Sequence, residues 1–164
     1  MVWPPDSPWS PWWRTNRKAA RAAAKLADIK PSDIVYELGS GDGMFVITAA
    51  HEYGARAIGI EIDPVRVFVS KIMVKFFGVS DKVEIIKSDF NKQNLRSASV
   101  VFMYLVPKAL ERLRQKLVKE LKPNTRVMSF RYEFQAPYRK HDKKYNIYLY
   151  YASDLKFASE YKKK

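Results

Sequence analysis

The sequence predicts an α/β fold, a mostly parallel twisted sheet with helices on both faces and an antiparallel strand or hairpin at its C-terminal end. Three observations carry this. Short β-rich runs alternate with helical stretches along most of the chain, all six glycines fall between positions 39 and 78, and the helical signal stops beyond Phe134. With 164 residues, 47% of them hydrophobic, the chain supports one domain around a single sizeable core.

The first stretch is an arm. Residues 1–13 hold all four tryptophans (Trp3, Trp9, Trp12, Trp13) and four of the nine prolines, a composition that reads as extended chain with aromatic anchors. The arm is taken as residues 1–14 and a single domain as 15–164. Arg17 to Ala27 is alanine-rich and basic, with Thr15 or Asn16 to cap its first turn, and is predicted helical. A packed first helix is favoured over a transit peptide, because no cleavage-like region follows.

Ile34 to Leu38 is the first strand, entered from the turn Lys30-Pro31-Ser32-Asp33, and it leads through a glycine cluster into a helix over Phe45 to Tyr53. The pattern repeats. Ala57 to Ile62 reads as a strand, Asp63 caps the next helix with Pro64 at its first position, and that helix runs to Phe77 before Gly78 ends it. Val83 to Lys87 and Ser99 to Leu105 are the third and fourth strands, Pro107 opens a helix to Leu121, and Thr125 to Phe130 is the fifth strand. Asn146 to Tyr151 and Leu155 to Tyr161 are expected to form an antiparallel hairpin around Ser153-Asp154, closing one edge of the sheet.

Composition narrows the function. Thirty Lys and Arg against 17 Asp and Glu leave a net charge of +13, a field that attracts anionic partners. There is no cysteine, so disulfide frameworks, Cys-rich zinc sites and thiol nucleophiles are excluded. His51 is expected on a helix surface and His141 in a Lys-rich loop, and neither implies a metal. The longest apolar run, Val100 to Val106, has seven residues against the roughly 18 of a membrane span. Prolines break up any signal-like N-terminus, so a cytoplasmic protein without a transmembrane span, favoured as a monomer, is expected. The basic runs Arg139 to Lys144 and Lys162 to Lys164 are expected to be solvated surface.

The chemistry concentrates in Glu37-Leu38-Gly39-Ser40-Gly41-Asp42-Gly43, between a strand and a helix, where open α/β sheets bind ligands. Met44 stands where a dinucleotide fingerprint needs its third glycine, and no lysine follows in P-loop spacing, so NAD is disfavoured and a nucleoside triphosphate excluded. Glu37 would repel a phosphate but attract an ammonium group. At the end of the second strand, Glu61 can accept from both hydroxyls of a ribose. After the third strand, Ser88-Asp89-Phe90 offers an acceptor for an exocyclic amine and an aromatic face for a purine, although Asp89 could equally cap a turn. A cationic amino-acid end, a ribose and an adenine without phosphates describe S-adenosylmethionine.

On these residues the chain resembles the class I methyltransferases, with a Rossmann-like fold. It is most similar to the small single-domain protein lysine N-methyltransferases of archaea and their bacterial and mitochondrial relatives, through DIVYELGSGDG (Asp33 to Gly43), GIEID (Gly59 to Asp63), ELKPNTRVMSFRY (Glu120 to Tyr132) and YLYY (Tyr148 to Tyr151). The resemblance implies a seven-stranded sheet with an antiparallel last strand. It implies cofactor contacts along Glu37, Leu38, Gly39, Ser40, Gly41 and Gly43, at Glu61 and Ile62, and at Asp89 and Phe90. Thr15 carries over from a Pro-Thr-Pro stretch that here reads Trp13-Arg14-Thr15-Asn16, and Met44 replaces a common arginine.

Methyl transfer is an in-line displacement that needs a neutral nucleophile and the exclusion of water, so an aromatic slot that desolvates a lysine amine serves it. Tyr104, beside Met103 after the fourth strand, and Tyr132 after the fifth are the candidate walls of that acceptor channel. Arg131 is assigned to the surface. Met103-Tyr104-Leu105-Val106-Pro107 lacks the NPP[YF] pattern of enzymes that methylate the amino groups of bases and glutamine. A protein substrate bearing lysine is therefore the expected acceptor, RNA methylation the rival within the same chemistry, and a non-catalytic basic nucleic-acid-binding module with a vestigial loop the rival from another class.

Overall fold

The computed structural model describes residues 15–157, so the tryptophan arm, the last part of the expected second hairpin strand and the terminal lysines lie outside the described residues. Seven strands form one sheet in the order β3-β2-β1-β4-β5-β7-β6. They are β1 (Ile34–Leu38), β2 (Arg56–Glu61), β3 (Val83–Lys87), β4 (Val100–Met103), β5 (Arg126–Phe130), β6 (Lys140–Asp142) and β7 (Ile147–Tyr151). The first five pair in parallel, and β7 runs antiparallel to both β5 and β6. Four helices alternate with them: α1 (Arg17–Leu26), α2 (Met44–Tyr53), α3 (Pro64–Phe76) and α4 (Pro107–Glu120).

Strand alternation divides the core in two. Val35, Phe102 and Met128 face a layer built from α1, α2 and α3. Leu38, Met103 and Val127 face α4 and the segment after β7. The buried alanines 19, 20, 23 and 24 of α1 let that helix lie close to α2. Asn16 caps it through its side chain, and Arg17 and Arg21 both pair with Glu52 at the far end of α2.

At the amino ends of the strands, Asp33 collects several donors. It accepts from Lys30 N at 2.8 Å and Ser99 Oγ at 2.7 Å, and it forms an ion pair with Arg126. The same arginine donates to the carbonyls of Ala27 and Asp28, so the end of α1 is fastened beneath β1, β4 and β5.

The C-terminal segment differs from the sequence expectation. A hairpin does close the sheet edge, but its strands are β6 and β7, and residues 152–157 form a 3-10 helix instead of a strand. Lys140-His141-Asp142 carries no apolar alternation because it is an edge strand, and its pairing with β7 alone makes it a strand. His141 therefore sits in a sheet instead of a loop. The chain turns after β7 because the buried carboxylate of Asp154 accepts from Tyr151 N and from the Arg139 guanidinium, while Leu155 enters the α4 core. That capture is stronger than the weak strand preference of Leu155 to Phe157.

Asp33→Ala strips the acceptor from a largely buried arginine and is expected to cost about 3 kcal/mol. Urea denaturation reads this as a lower midpoint at unchanged slope.

Candidate active site

The turn after β1 is bent onto the end of β2. Gly39, Gly41 and Gly43 all have left-handed backbone, with φ of 75°, 55° and 78°. Gly39 N and Ser40 N both donate to the Ile60 carbonyl, at 2.9 and 3.0 Å. Gly59 makes this fold-back possible. A Cβ on that residue would lie 2.8 Å from Ser40 Oγ and 2.9 Å from Ile85, so the turn crosses β2 where a side chain is missing.

Glu61 completes the attachment. Its carboxylate accepts from Gly41 N at 2.8 Å, Ile62 N at 2.9 Å and Asp63 N at 3.0 Å. The buried acid thus fixes the glycine turn and the start of α3 with one side chain. Asp63 in turn caps α3 by accepting from Val65 N and Arg66 N.

Glu37 faces the first turn of α2, where its carboxylate accepts from Val46 N at 3.2 Å. The residue is 4% exposed. Burial pushes its carboxyl well above the usual carboxylate range, the Val46 N–H opposes that, and the nearby Asp42 and Glu61 charges add to it. An ammonium group placed here would offset the desolvation. Between the glycines, the Ser40 hydroxyl is buried with no hydrogen-bond partner among the described residues. That hydroxyl faces Gly59 and Ile85 of the sheet, so the fit to the amino-acid end of S-adenosylmethionine rests on the buried acid short of a cation beside a glycine turn. Leu38 is fully buried beneath the turn, and Ile62 is exposed beside it.

The other expected cofactor residues are placed differently from one another. Asp89 Oδ1 accepts from Asn91 N and Asn91 Nδ2, both at 2.9 Å, and so caps the short 3-10 turn Phe90–Lys92 after β3. Phe90 is half-buried against the α4-side core. Thr15 is buried at the foot of α1, whose first residues reach the far end of α2. It is not part of the hydrogen-bonded cluster around the glycine turn.

Tyr104 and Tyr132 follow the ends of adjacent strands but pack on opposite faces of the sheet, Tyr104 toward α2 and Tyr132 toward α4. Tyr104 meets the Phe130 ring edge-on at 4.7 Å. Burial raises its phenol above the ordinary value, and Arg131 pulls the other way. The sequence assigns Arg131 to the surface, and its side chain is exposed, yet its guanidinium carbon lies 5.8 Å from the Tyr104 ring centre. Its backbone is left-handed at φ 67°, held by donation to the Asn146 carbonyl at 2.7 Å.

Two further residues at this end lie in the stretches that carry the resemblance, but the sequence gives neither a role. Ser129, in register between Met103 and Tyr148, has a buried hydroxyl with no partner among the described residues. Tyr148 stacks on His141 with ring centres 4.3 Å apart. The loop carrying Tyr132 is anchored where Phe134 N donates to the buried Tyr150 hydroxyl at 3.0 Å.

A parallel sheet whose last strand is inserted antiparallel, with a glycine turn and an acid at the ends of its first two strands, defines a class I methyltransferase. A family model described as the ANTKMT methyltransferase domain matches residues 37–140, and the chain belongs to that family. A protein-lysine N-methyltransferase of Saccharolobus islandicus (strain REY15A) is 36% identical over 137 residues, 83% of each chain. The adenine nucleotide translocase lysine N-methyltransferase of Mus musculus is 38% identical over 104 residues, 63% of this chain and 44% of that protein. Among solved structures, an RNA methyltransferase from Salinibacter ruber in complex with S-adenosyl-L-homocysteine superposes with a TM-score of 0.83 at 36% identity, covering 85% of this chain and 94% of that one.

The Glu37 carboxyl has a sign that can be tested. In the ligand-free protein the native state holds this proton above the pH at which the unfolded chain releases it, so stability falls as pH rises from the ordinary glutamate range toward the raised value. Glu37→Gln is expected to flatten that decline in a thermal-melting series across pH. The same variant is expected to weaken S-adenosylmethionine binding roughly tenfold to a hundredfold in calorimetry, the loss of one charged hydrogen bond.

Proposed function

We propose that this protein methylates lysine side chains of proteins, with S-adenosylmethionine as donor. The observation that carries the reading is the 36% identity to an archaeal protein-lysine N-methyltransferase over 83% of both chains. The similarity to the mouse adenine nucleotide translocase lysine N-methyltransferase supports it. The buried acids and glycine cradle favour a working site over a basic nucleic-acid module with a vestigial loop.

S-adenosylmethionine supplies a methyl group on a sulfonium. In the proposed arrangement Glu37, Gly39, Ser40, Gly41 and Gly43 hold its amino-acid end, with Leu38 as the floor. Glu61 accepts three N–H donors on its two oxygens, which aims the carboxylate while leaving lone pairs for ribose hydroxyls. Ile62 borders the sugar, and the free capacity of Asp89 together with the Phe90 ring serves the adenine. Thr15 remains a proposed contact through the chain preceding α1.

Tyr104 would border the acceptor from the α2 side of the strand ends and Tyr132 from the α4 side, so the two rings flank those ends and do not face each other. A lysine amine with an ordinary pKa of about 10.4 must shed its proton before it can attack, and an aromatic slot that excludes water favours the neutral form. The raised Tyr104 phenol stays protonated at neutral pH, so it orients the amine and does not act as a base. Its neighbour Arg131 keeps other cations away from the slot and suits an acidic or neutral sequence around the target lysine.

RNA is kept as a second reading on two observations, the Salinibacter enzyme described as an RNA methyltransferase and the net charge of +13. Incubating a lysate with methyl-labelled cofactor decides between them. Label is expected to survive ribonuclease, to be released by protease and to appear as methyl-lysine after hydrolysis, and loss to ribonuclease would defeat the lysine reading. In the same assay Tyr104→Ala is expected to lower kcat at least tenfold with cofactor binding retained, an effect of about 1.4 kcal/mol on the barrier. Unchanged turnover in both Tyr104→Ala and Tyr104→Phe would remove Tyr104 from the channel.

A further inference from the structure

Helix α3 carries two apolar faces. Val67, Ser70 and Val74 are buried against the sheet, as expected of a surface helix. On the outward side Val65, Phe68, Ile72 and Phe76 follow one another at spacings of three and four residues, and Phe68 is 66% and Phe76 81% exposed. Ile62 extends the line past the start of the helix to the residue after Glu61. Beside the stripe, Phe68 and Ile72 share a groove of about 550 Å³ with Val83 and Ile85 of β3, the outermost strand on that side. A contiguous apolar strip of this kind marks a surface that another segment covers.

The chain itself supplies a segment of matching chemistry at the right place. Fourteen residues precede Thr15, and they contain every tryptophan of the sequence and four of its nine prolines. Just past them, the Arg17 guanidinium lies 5.3 Å from the centre of the Phe77 ring. Phe77 in turn meets Phe76 edge-on at 5.5 Å. The arm therefore leaves the described residues two side chains from the lower end of the stripe. At about 3.1 Å per residue in an extended proline-rich conformation, fourteen residues reach roughly 43 Å. The stripe from Phe76 to Val65 rises about 17 Å at 1.5 Å per residue, so the arm can cover all of it. Its prolines lower the entropy lost on docking, its indoles supply large apolar area, and the tether holds them at a high effective concentration.

We propose that residues 1–14 dock in cis along the outward face of α3, with tryptophans over Phe68, Ile72 and Phe76 and in the groove beside β3. A free lipid surface or a second copy would have to find a patch that the arm, covalently attached at its foot, reaches first. The docked arm runs toward Ile62, and so along the flank of the site at which Glu61 is held. The docking stands whether the acceptor is protein or RNA.

Because every tryptophan lies in the arm, the intrinsic tryptophan fluorescence of the full chain reports the arm alone. The expected result is emission shifted to the blue of a synthetic 1–14 peptide and acrylamide quenching at least twofold weaker, both independent of protein concentration and of added vesicles. The double variant Phe68→Ser, Ile72→Ser is expected to move both readings to those of the peptide, with far-UV circular dichroism unchanged. The remote surface variant Tyr151→Ser leaves them in place. Should the double variant fail to fold, Phe76→Ser at the most exposed position gives the same readout. Wild-type emission equal to that of the peptide, or readings that ignore the α3 substitutions, would overturn the proposal. A blue shift that grows with protein concentration would overturn it in favour of a second copy. One that requires phosphatidylglycerol–phosphatidylcholine vesicles would overturn it in favour of a membrane.

Discussion

The site rests on one carboxylate held by three backbone N–H groups. Glu61 joins the glycine turn that leaves β1 to the chain that leaves β2, and the Ile60 carbonyl adds the backbone part of that junction. Backbone in the left-handed region has no preference for one outline over another, and a charged acceptor at 2.8 Å gives it one. The missing side chain at Gly59 is the steric half of the same arrangement, since the turn can reach Glu61 only by crossing β2 at that point. Electrostatics and packing thus select a single cradle from a loop that would be loose in isolation.

Glu37 is the opposite kind of acid. Glu61 has its oxygens answered by the protein, whereas Glu37 sits buried with Val46 N as a donor and two carboxylates nearby that oppose ionisation. A group kept in so unfavourable a state weakens the fold on its own account and gains when a cation arrives. One acid therefore shapes the site, and under the proposed function both would meet the ligand, Glu61 with its remaining lone pairs and Glu37 with its charge. The division matches a donor molecule with a neutral sugar and a positively charged end.

Much of this is legible in the sequence because parallel strands are buried on both faces and local chemistry punctuates them. Val100–Met103 is an apolar run buried at every position, and Asp63-Pro64 starts α3 as a cap followed by a proline must. The glycine turn and its acids are readable for the same reason, since all of their chemistry lies within two short stretches. Strand β6 is not, because Lys140-His141-Asp142 is polar and is a strand only through its partner β7. The approach of Arg131 to Tyr104 and the placing of Ser129 beside Tyr148 depend on the β5–β7 register and on a left-handed residue at the end of β5. No local pattern encodes either. Asp89 shows the converse, a residue whose type suits a base and whose Oδ1 is engaged in capping a turn.

The position of β7 sets an order of events during synthesis. It follows every other strand of the sheet out of the ribosome, yet it lies inside that sheet, with β5 on one side and β6 on the other. A nascent chain that has not yet emerged past residue 147 has every residue of the glycine turn and of Glu61's junction in hand and the edge of β5 open, with β6 still lacking its neighbour. Tyr148, the partner of Ser129 in the register, is absent at that stage, and the Tyr150 hydroxyl that anchors the following loop has not been made. The glycine turn and Glu61 can therefore be assembled first in the life of each molecule, while the end of the sheet that holds Ser129 is closed last, when β7 slides between β5 and β6.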